Sequence, residues 1–331
     1  LKDTPNRKDE KHLDAWKSID NSMNVSTSYA RYQALQDLNA DDISLRGLDA
    51  NNKADLEQIN LQGADLTNAT LRQSNLKRAN LRGASLNLIN LQGSNLEKAD
   101  LEYAQIKQAN LSETNLSEAN LIGADFTQSN LSHAIIKEAK LAYACLDDTI
   151  MHGENFKASY MNNTSLARVN MSRVDLNYVT LTRANLKESS LTECSISDSN
   201  LQGSNLNSTN LKCSNFYRSN LSNVDLRNSI LQDTRLYDIK IRKDSSFSNT
   251  DFRGAVLSHL DCEEADFLKA DFRFCIFKNS VFKNTYFVEA DFSDSALYNV
   301  TLSLCNITKA KFDRTVFIDC DLSEMNLDEY T

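Results

Sequence analysis

The chain has 331 residues, of which 41% are hydrophobic and 24% charged, and its formal net charge is −9. One proline and eight glycines are too few to punctuate the turns of a loop-rich globule of this length. No stretch approaches the roughly 18 consecutive apolar residues of a membrane span, and the charge excludes a broad basic surface, so direct nucleic-acid binding is not expected. Residues 1–55 carry 8 basic and 10 acidic side chains, residues 56–246 carry 20 and 20, and residues 247–331 carry 8 and 15. The acidity therefore belongs to the C-terminal quarter.

Residues 1–52 show no five-residue rhythm. Leu13, Trp16, Ile19 and Met23 are spaced to share one helix face, and Ala30, Ala34, Leu35 and Leu38 predict a second short helix after Ser28. Leu1 rather than Met opens the chain, so a leader or membrane anchor is expected upstream of it.

From Leu56 to Ile241 an apolar residue falls on every fifth position, 38 times in succession. One extra residue enters near Asp244 and Ser245, after which the phase resumes at Phe247 and continues to Leu327 for 17 more. The residue two before each centre is small in 49 of these 55 cases, and the one just before is most often Asn or Asp. A step of five fits neither regular element: on a helix it rotates by about 140°, and on a strand an odd step flips the face. The chain must turn within every unit. The small residue and the centre, two apart, point inward, while the Asn or Asp between them points out. Gly63, Gly83, Gly123 and Gly203 lie at the second corner position at multiples of 20 residues, which predicts four units per coil with a positive φ at that edge.

The units Ala64-Asp65-Leu66-Thr67-Asn68, Ala79-Asn80-Leu81-Arg82-Gly83, Ser94-Asn95-Leu96-Glu97-Lys98 and Ala109-Asn110-Leu111-Ser112-Glu113 resemble those of the bacterial pentapeptide-repeat proteins. That resemblance implies an all-β solenoid, a right-handed quadrilateral β-helix, here with an N-terminal α-helical cap. Ala15-Trp16, Ala34-Leu35-Gln36-Asp37-Leu38 and Ser44-Leu45-Arg46-Gly47-Leu48 are similar to the segment preceding the repeats in some cyanobacterial members, several of which carry an upstream membrane anchor. Three regions are expected: a cap at 1–52, which covers the open first layer, a Leu-centred tower at 53–243, and a Phe-centred acidic tower at 244–331.

Within the first tower, outward Asn and Asp residues are expected to bond each other or nearby backbone. The coil 145–161 departs from the pattern, with Ile150 outward and Glu154 at a small-residue position. His133 and His152 fall one coil apart there, near Cys145 and Asp148. The ligand types admit a metal, but a bulge or bent coil is the preferred explanation; neither a metal nor another cofactor is assigned. Tyr178, Tyr217 and Tyr237, with Arg218, fall on one side, as interface anchors or as strand-stabilising pairs. In the second tower Val256, Ile276, Ala296 and Val316 form an outward apolar column, adjoined by Ile318, which suggests a contact surface. Asp251, Asp271 and Asp291 form a neighbouring column whose repulsion must be offset by a cation, backbone donors or a basic partner.

Five of seven cysteines occupy inward positions, Cys145 and Cys213 do not, and none forms a CxxC pair, so a reducing cytoplasm is preferred. No catalytic motif appears. The expected function is a non-enzymatic protein-interaction scaffold of unknown partner, tethered through a missing N-terminal segment. A homodimer through the C-terminal tower is expected, with Met325, Leu327 and Tyr330 covering the last layer or meeting a second copy. The resemblance also implies an alternative, binding to a type II topoisomerase as a DNA mimic that inhibits or protects it.

Overall fold

The computed structural model describes residues 5–22, 25–50, 53–153, 155–323 and 325. It contains two compact units, Leu1–Asn155 and Phe156–Thr331. Each is built by itself from the same five-residue step.

Two helices open the first unit, α1 (Pro5–Asn21) and α2 (Tyr29–Ala40). Ser28 caps α2, its hydroxyl accepting the Arg31 N–H at 3.2 Å, which satisfies one of the free amides of a first helical turn. Ala34, Leu35 and Leu38 are buried as expected. Leu13, however, is 56% exposed while Ile19 is buried, and Met23 lies outside the described residues. Ala30 also faces outward, and Arg31 takes the inner position. The reason is electrostatic. The carbonyls of Ser22 and Ser26, in the α1–α2 connection, accept from Arg31 Nη1 and Nη2 at 2.9 and 2.8 Å, a demand that an alanine cannot meet. The helices contact the first coil through Asn39 Nδ2, which donates to Gln62 O at 3.1 Å, and Gln36 Oε1, which accepts from the Asn60 N–H at 3.2 Å. Among the described residues no helix is long and apolar enough to cross a membrane.

Coil stacking begins earlier than the rhythm alone indicates. Leu45 N–H already donates to Asp65 O at 2.8 Å and Gly47 N–H to Thr67 O at 2.9 Å. Thereafter parallel pairs step by 20 residues, as in Asn60 with Asn80, Asn80 with Asp100 and Asp100 with Asn120. Four units therefore make one coil, the number that the glycine phase predicts.

The unit 81–85 shows why the repeat has its composition. Leu81 N–H donates to Asp100 O of the next coil, Gly83 N–H to Glu102 O, and Ser85 N–H to Ala64 O of the preceding coil, at 2.7, 2.8 and 2.9 Å. Ala84 N–H closes the corner onto Leu81 O at 3.1 Å. One amide is left, that of Arg82, and the Asn80 Oδ1 accepts it at 3.2 Å. Asn or Asp before the centre thus completes the main-chain pairing. The side-chain ladder adds to it: Asn80 Nδ2 donates to Asn60 Oδ1 at 3.0 Å and Asn120 Nδ2 to Asp100 Oδ1 at 3.0 Å.

The corner glycines have positive φ, +70° at Gly63 and +66° at Gly83. The same edge holds Tyr103, Tyr143 and Arg183 at +58°, +62° and +56°. Glycine is therefore optional there, because three inter-coil bonds per unit outweigh the cost, about 1–2 kcal/mol, of a left-handed residue.

Inside, the centres and small residues are buried as far as Ile307, and the last described coil leaves Phe317 and Leu322 exposed. Many buried serines turn their hydroxyls to carbonyls one coil back, as Ser199 does to Leu176 O at 2.7 Å and Ser189 to Leu166 O at 2.6 Å, which satisfies their polarity, whereas Ser74 Oγ and Ser295 Oγ are buried without a partner among the described residues. The extra residue of the rhythm is taken up in the corner Arg242–Ser245, closed by Ser245 N–H to Arg242 O at 3.2 Å. Across it the pairing step becomes 21 residues, Asp225 with Ser246 and Ile230 with Asp251, and then returns to 20.

Beyond it phenylalanines stack in two columns. Phe247, Phe267 and Phe287 follow at 4.6 and 5.2 Å, and Phe252, Phe272, Phe292 and Phe312 at 4.8, 4.9 and 5.0 Å. Edge-to-face contacts, such as Phe267 on Phe282 at 6.4 Å, knit neighbouring columns together.

Candidate interaction face

In the second unit the tight corners give way on two neighbouring sides to extended strands. These are β1 (Asn215–Tyr217), β2 (Arg235–Tyr237), β3 (Lys240–Ile241), β4 (Val256–Ser258), β5 (Asp261–Glu263), β6 (Ile276–Lys283), β7 (Ala296–Ser303) and β8 (Val316–Ile318). All neighbouring pairs are parallel. Along β2, β4, β6, β7 and β8 the residue before the centre is Arg235, Val256, Ile276, Ala296 and Val316. None of these carries the oxygen that caps a tight corner, so the following amide is free to join the ladder. Ile135 and Ile230 keep tight corners without it. Loss of the cap permits the extended form without forcing it.

The result is a sheet face of six strands in the order β1, β2, β4, β6, β7, β8. One outward column runs through Asn215, Arg235, Val256, Ile276, Ala296 and Val316, and a second through Tyr217, Tyr237, Ser258, Lys278, Tyr298 and Ile318. Ile276, Val316 and Ile318 are 38%, 48% and 44% exposed. Tyr217 and Tyr237 stack at 5.2 Å, with Arg218 over Tyr217 at 4.7 Å and His259 against Tyr237 at 4.8 Å. Arg218 is itself bound to Asp198, with Nε to Oδ1 at 2.7 Å, and that hydrogen bond pushes the guanidinium pKa further up. Lys278 lies over Tyr298 at 5.9 Å.

The sequence-predicted residues Tyr217, Tyr237, Val256, Ile276, Val316 and Ile318 thus come together on one face, with Arg218 at its rim. Tyr178 does not join them. It occupies a corner position, under Lys157 Nζ at 5.6 Å from its ring centre. Arg235, His259, Lys278 and Tyr298 were not singled out by the rhythm. Their signal is readable in retrospect: at steps of 20 or 21 residues the Asn or Asp before the centre gives way to apolar or basic side chains. At the adjoining corner an open cleft of about 400 Å³ is lined by Gln232, Asp233, Arg253, Gly254 and Phe274, and the Phe274 ring is 59% exposed. Gly254 has a φ of +74°, and a Cβ there would meet the carboxylate end of Asp233, Oδ1 at 2.5 Å.

The carboxylate column is internally compensated. Arg253 binds Asp251 through Nη2 at 2.7 Å and reaches Asp271 at 3.6 Å, Arg273 binds Asp271 at 2.6 Å, and Ser293 N–H donates to Asp291 at 3.0 Å. Burial pushes the Asp251 carboxyl up, but hydrogen bonds from Arg253 and Gln232 outweigh it and hold it below the usual range.

Elsewhere, the His133 ring lies over Gly153, where an added Cβ would sit 2.9 Å from Nδ1. Cys145 Sγ is 3.3 Å from Thr127 Oγ1, and Ile150 is exposed as expected. Glu154 lies outside the described residues, as do Leu327 and Tyr330. Among the described residues no group of three or more His, Cys, Asp or Glu is placed to hold a metal ion. All seven cysteines are free thiols. Burial pushes Cys194 and Cys262 up to about 12.

Among solved structures the chain is similar to HetL, a pentapeptide repeat protein involved in heterocyst differentiation regulation in the cyanobacterium Nostoc sp. strain PCC 7120. The identity is 20% over 72% of this chain and 90% of that one, with a TM-score of 0.37. It is also similar to a pentapeptide repeat protein of the Arabidopsis thaliana thylakoid lumen, 27% identical over 30% of this chain and 68% of that one, with a TM-score of 0.29. QnrB1, a plasmid-mediated fluoroquinolone resistance protein, is 14% identical over 73% of this chain and 88% of that one, with a TM-score of 0.24. No curated protein sequence matches. The family model for pentapeptide repeats matches eight times, at residues 52–87, 89–117, 114–153, 155–187, 189–228, 245–284, 265–303 and 285–324. With its coils of four five-residue units and its two N-terminal helices, the chain belongs to the pentapeptide-repeat family and has that family's right-handed quadrilateral β-helix.

Proposed function

We propose that this protein is a non-catalytic scaffold that docks a partner protein on the six-strand face of its second unit. The observation that carries this reading is the face itself: Ile276 and Val316 stand exposed where most units present Asn or Asp, with Tyr237 and Ile318 exposed beside them. Apolar and aromatic side chains gathered on one solvated sheet face are what protein interfaces bury. HetL, by its description a regulator of differentiation, gives a scaffold or regulatory role a parallel in the family. The DNA-mimic reading, suggested by the resistance protein QnrB1, has less support, because Arg253 and Arg273 are interleaved with the column of aspartates that would imitate phosphates.

The test is comparative capture from the cells that make the protein, using immobilised wild type and the Tyr237→Ala/Ile276→Asp variant. Proteins retained by the wild type and lost by the variant are expected. An identical retained set overturns the reading.

A further inference from the structure

The docking face has a charge of its own, opposite to that of the chain. Of the twelve outward side chains in its two columns, Arg235 and Lys278 are charged, and no carboxylate is among them. Five arginines elsewhere on the unit are held by carboxylates: Arg218 by Asp198, Arg227 by Asp225, Arg253 by Asp251, Arg273 by Asp271 and Arg314 by Asp294. Among the described residues Arg235 and Lys278 have no ion-pair partner. Nearby carboxylates, Asp238 and Asp319, stand at corner positions, outside the two columns.

We infer that the face is built for an acidic partner segment, one that sets carboxylates against Arg235 and Lys278 and buries apolar side chains on Ile276, Val316 and Ile318. This rests on the docking reading above and names its chemistry. The two cations lie two strands apart, about 10 Å along the stack, so two carboxylates on one short segment reach both. A surface cation left unpaired in the free protein keeps its full attraction for an incoming carboxylate, whereas one already paired must first give up its partner. A single-stranded nucleic acid would also meet tyrosines and cations here. It is the poorer fit, because two cations against three exposed aliphatic side chains cannot follow a backbone charged at every nucleotide.

The experiment uses the full chain and fluorescein-labelled probes in an anisotropy titration. The probes are three copies of Glu-Val-Asp-Tyr, three copies of the neutral Gln-Val-Asn-Tyr, three copies of the basic Lys-Val-Arg-Tyr, and an oligothymidine of similar charge. The acidic peptide is expected to bind about ten-fold more tightly than the neutral one, with the difference shrinking as salt is raised. Arg235→Glu/Lys278→Glu is expected to abolish that preference and to favour the basic peptide. Both positions are exposed, and an unchanged circular dichroism spectrum and unfolding midpoint confirm that the variant is folded.

Equal binding of acidic and neutral peptides, no binding of either, tightest binding of the oligothymidine, or indifference to the double charge reversal each overturns the inference. The scaffold reading fails separately, when Tyr237→Ala/Ile276→Asp retains the same cellular proteins as the wild type. Loss of those proteins with equal acidic and neutral binding leaves a docking face whose partner is not acidic.

Discussion

At the scale of the residue, the position before each centre matters because it answers one otherwise unpaired amide per unit. Asp100 illustrates it, with Oδ1 accepting the Glu102 N–H at 3.1 Å and Asn120 Nδ2 at 3.0 Å. Asp100→Leu removes both acceptors and is expected to cost about 1–3 kcal/mol, read from urea unfolding. The carboxylates also set the response to acid. Hydrogen bonds from Arg227 hold Asp225 below the ordinary range, and Asp251 and Asp291 are likewise low although burial opposes this. A carboxyl with a depressed folded pKa stabilises the fold above its unfolded value, near 3.9, and loses that contribution as pH falls through the lower folded value. Stability is therefore expected to be level down to about pH 5 and to fall below about pH 4, with Asp225→Asn making the fall shallower in thermal scans across pH. The buried thiols behave oppositely. Cys194 and Cys262, pushed up to about 12, stabilise the fold fully below the unfolded value of about 8.5 and lose this as pH rises towards the folded one. In the native protein at neutral pH a thiol reagent is expected to label exposed Cys213 first, and buried Cys194, Cys262, Cys275 and Cys305 only after denaturant is added.

At the scale of the element, the helical pair and the Phe columns hold their places by different physics. The α1–α2 connection depends on Arg31, which is fully buried. Burial lowers its pKa and the nearby Asp55 opposes that shift. Arg31→Ala takes one donor from each of the Ser22 and Ser26 carbonyls, leaving them the Val25 and Asp55 N–H groups, and hydrogen exchange is expected to quicken across residues 5–22 while the coils beyond Leu61 keep their protection. The phenylalanine columns depend on packing. Phe272 meets Phe252 and Phe292 face to face at 4.8 and 4.9 Å, and Phe277 edge-on at 5.4 Å. Phe272→Ala is expected to cost about 3–5 kcal/mol in urea unfolding. The corner at Arg242–Ser245 absorbs an extra residue without disturbing the core on either side. Deleting Lys243 restores the unbroken five-residue phase, and the unfolding midpoint is expected to move by a few degrees at most. The same deletion in the middle of a regular coil reverses which side chains face inward.

At the scale of the whole molecule, each coil contacts its immediate neighbours, so stability grows by addition along a unit and surface chemistry can change from coil to coil at little cost to the fold. The six-strand face uses that freedom. A homodimer through the C-terminal stretch is checked by light scattering at high concentration, where a mass of twice 37.2 kDa is expected and the monomer mass removes it. The fold was legible in the rhythm because a five-residue period leaves the backbone one arrangement that buries both inward positions and turns at the other two. Tyr217, Tyr237, Ile276, Val316 and Ile318 were legible as candidates for the same reason, their outward direction following from the phase. Arg235, Lys278 and His259 were not. Their roles depend on which neighbours one coil away pair with them, and on a corner that opens into strand.

The sequence by itself determined the coil, its four units, the inward residues and the place where the phase slips, since these follow from local spacing and from the pairing of every amide. Only the tertiary structure decided that Arg31 rather than Ala30 turns inward, that the aspartate column is neutralised by its own arginines, and that two unpaired cations share a face with the tyrosines. Those outcomes depend on contacts between residues in different helices or different coils, and periodicity reports the direction of a side chain without naming what it meets there.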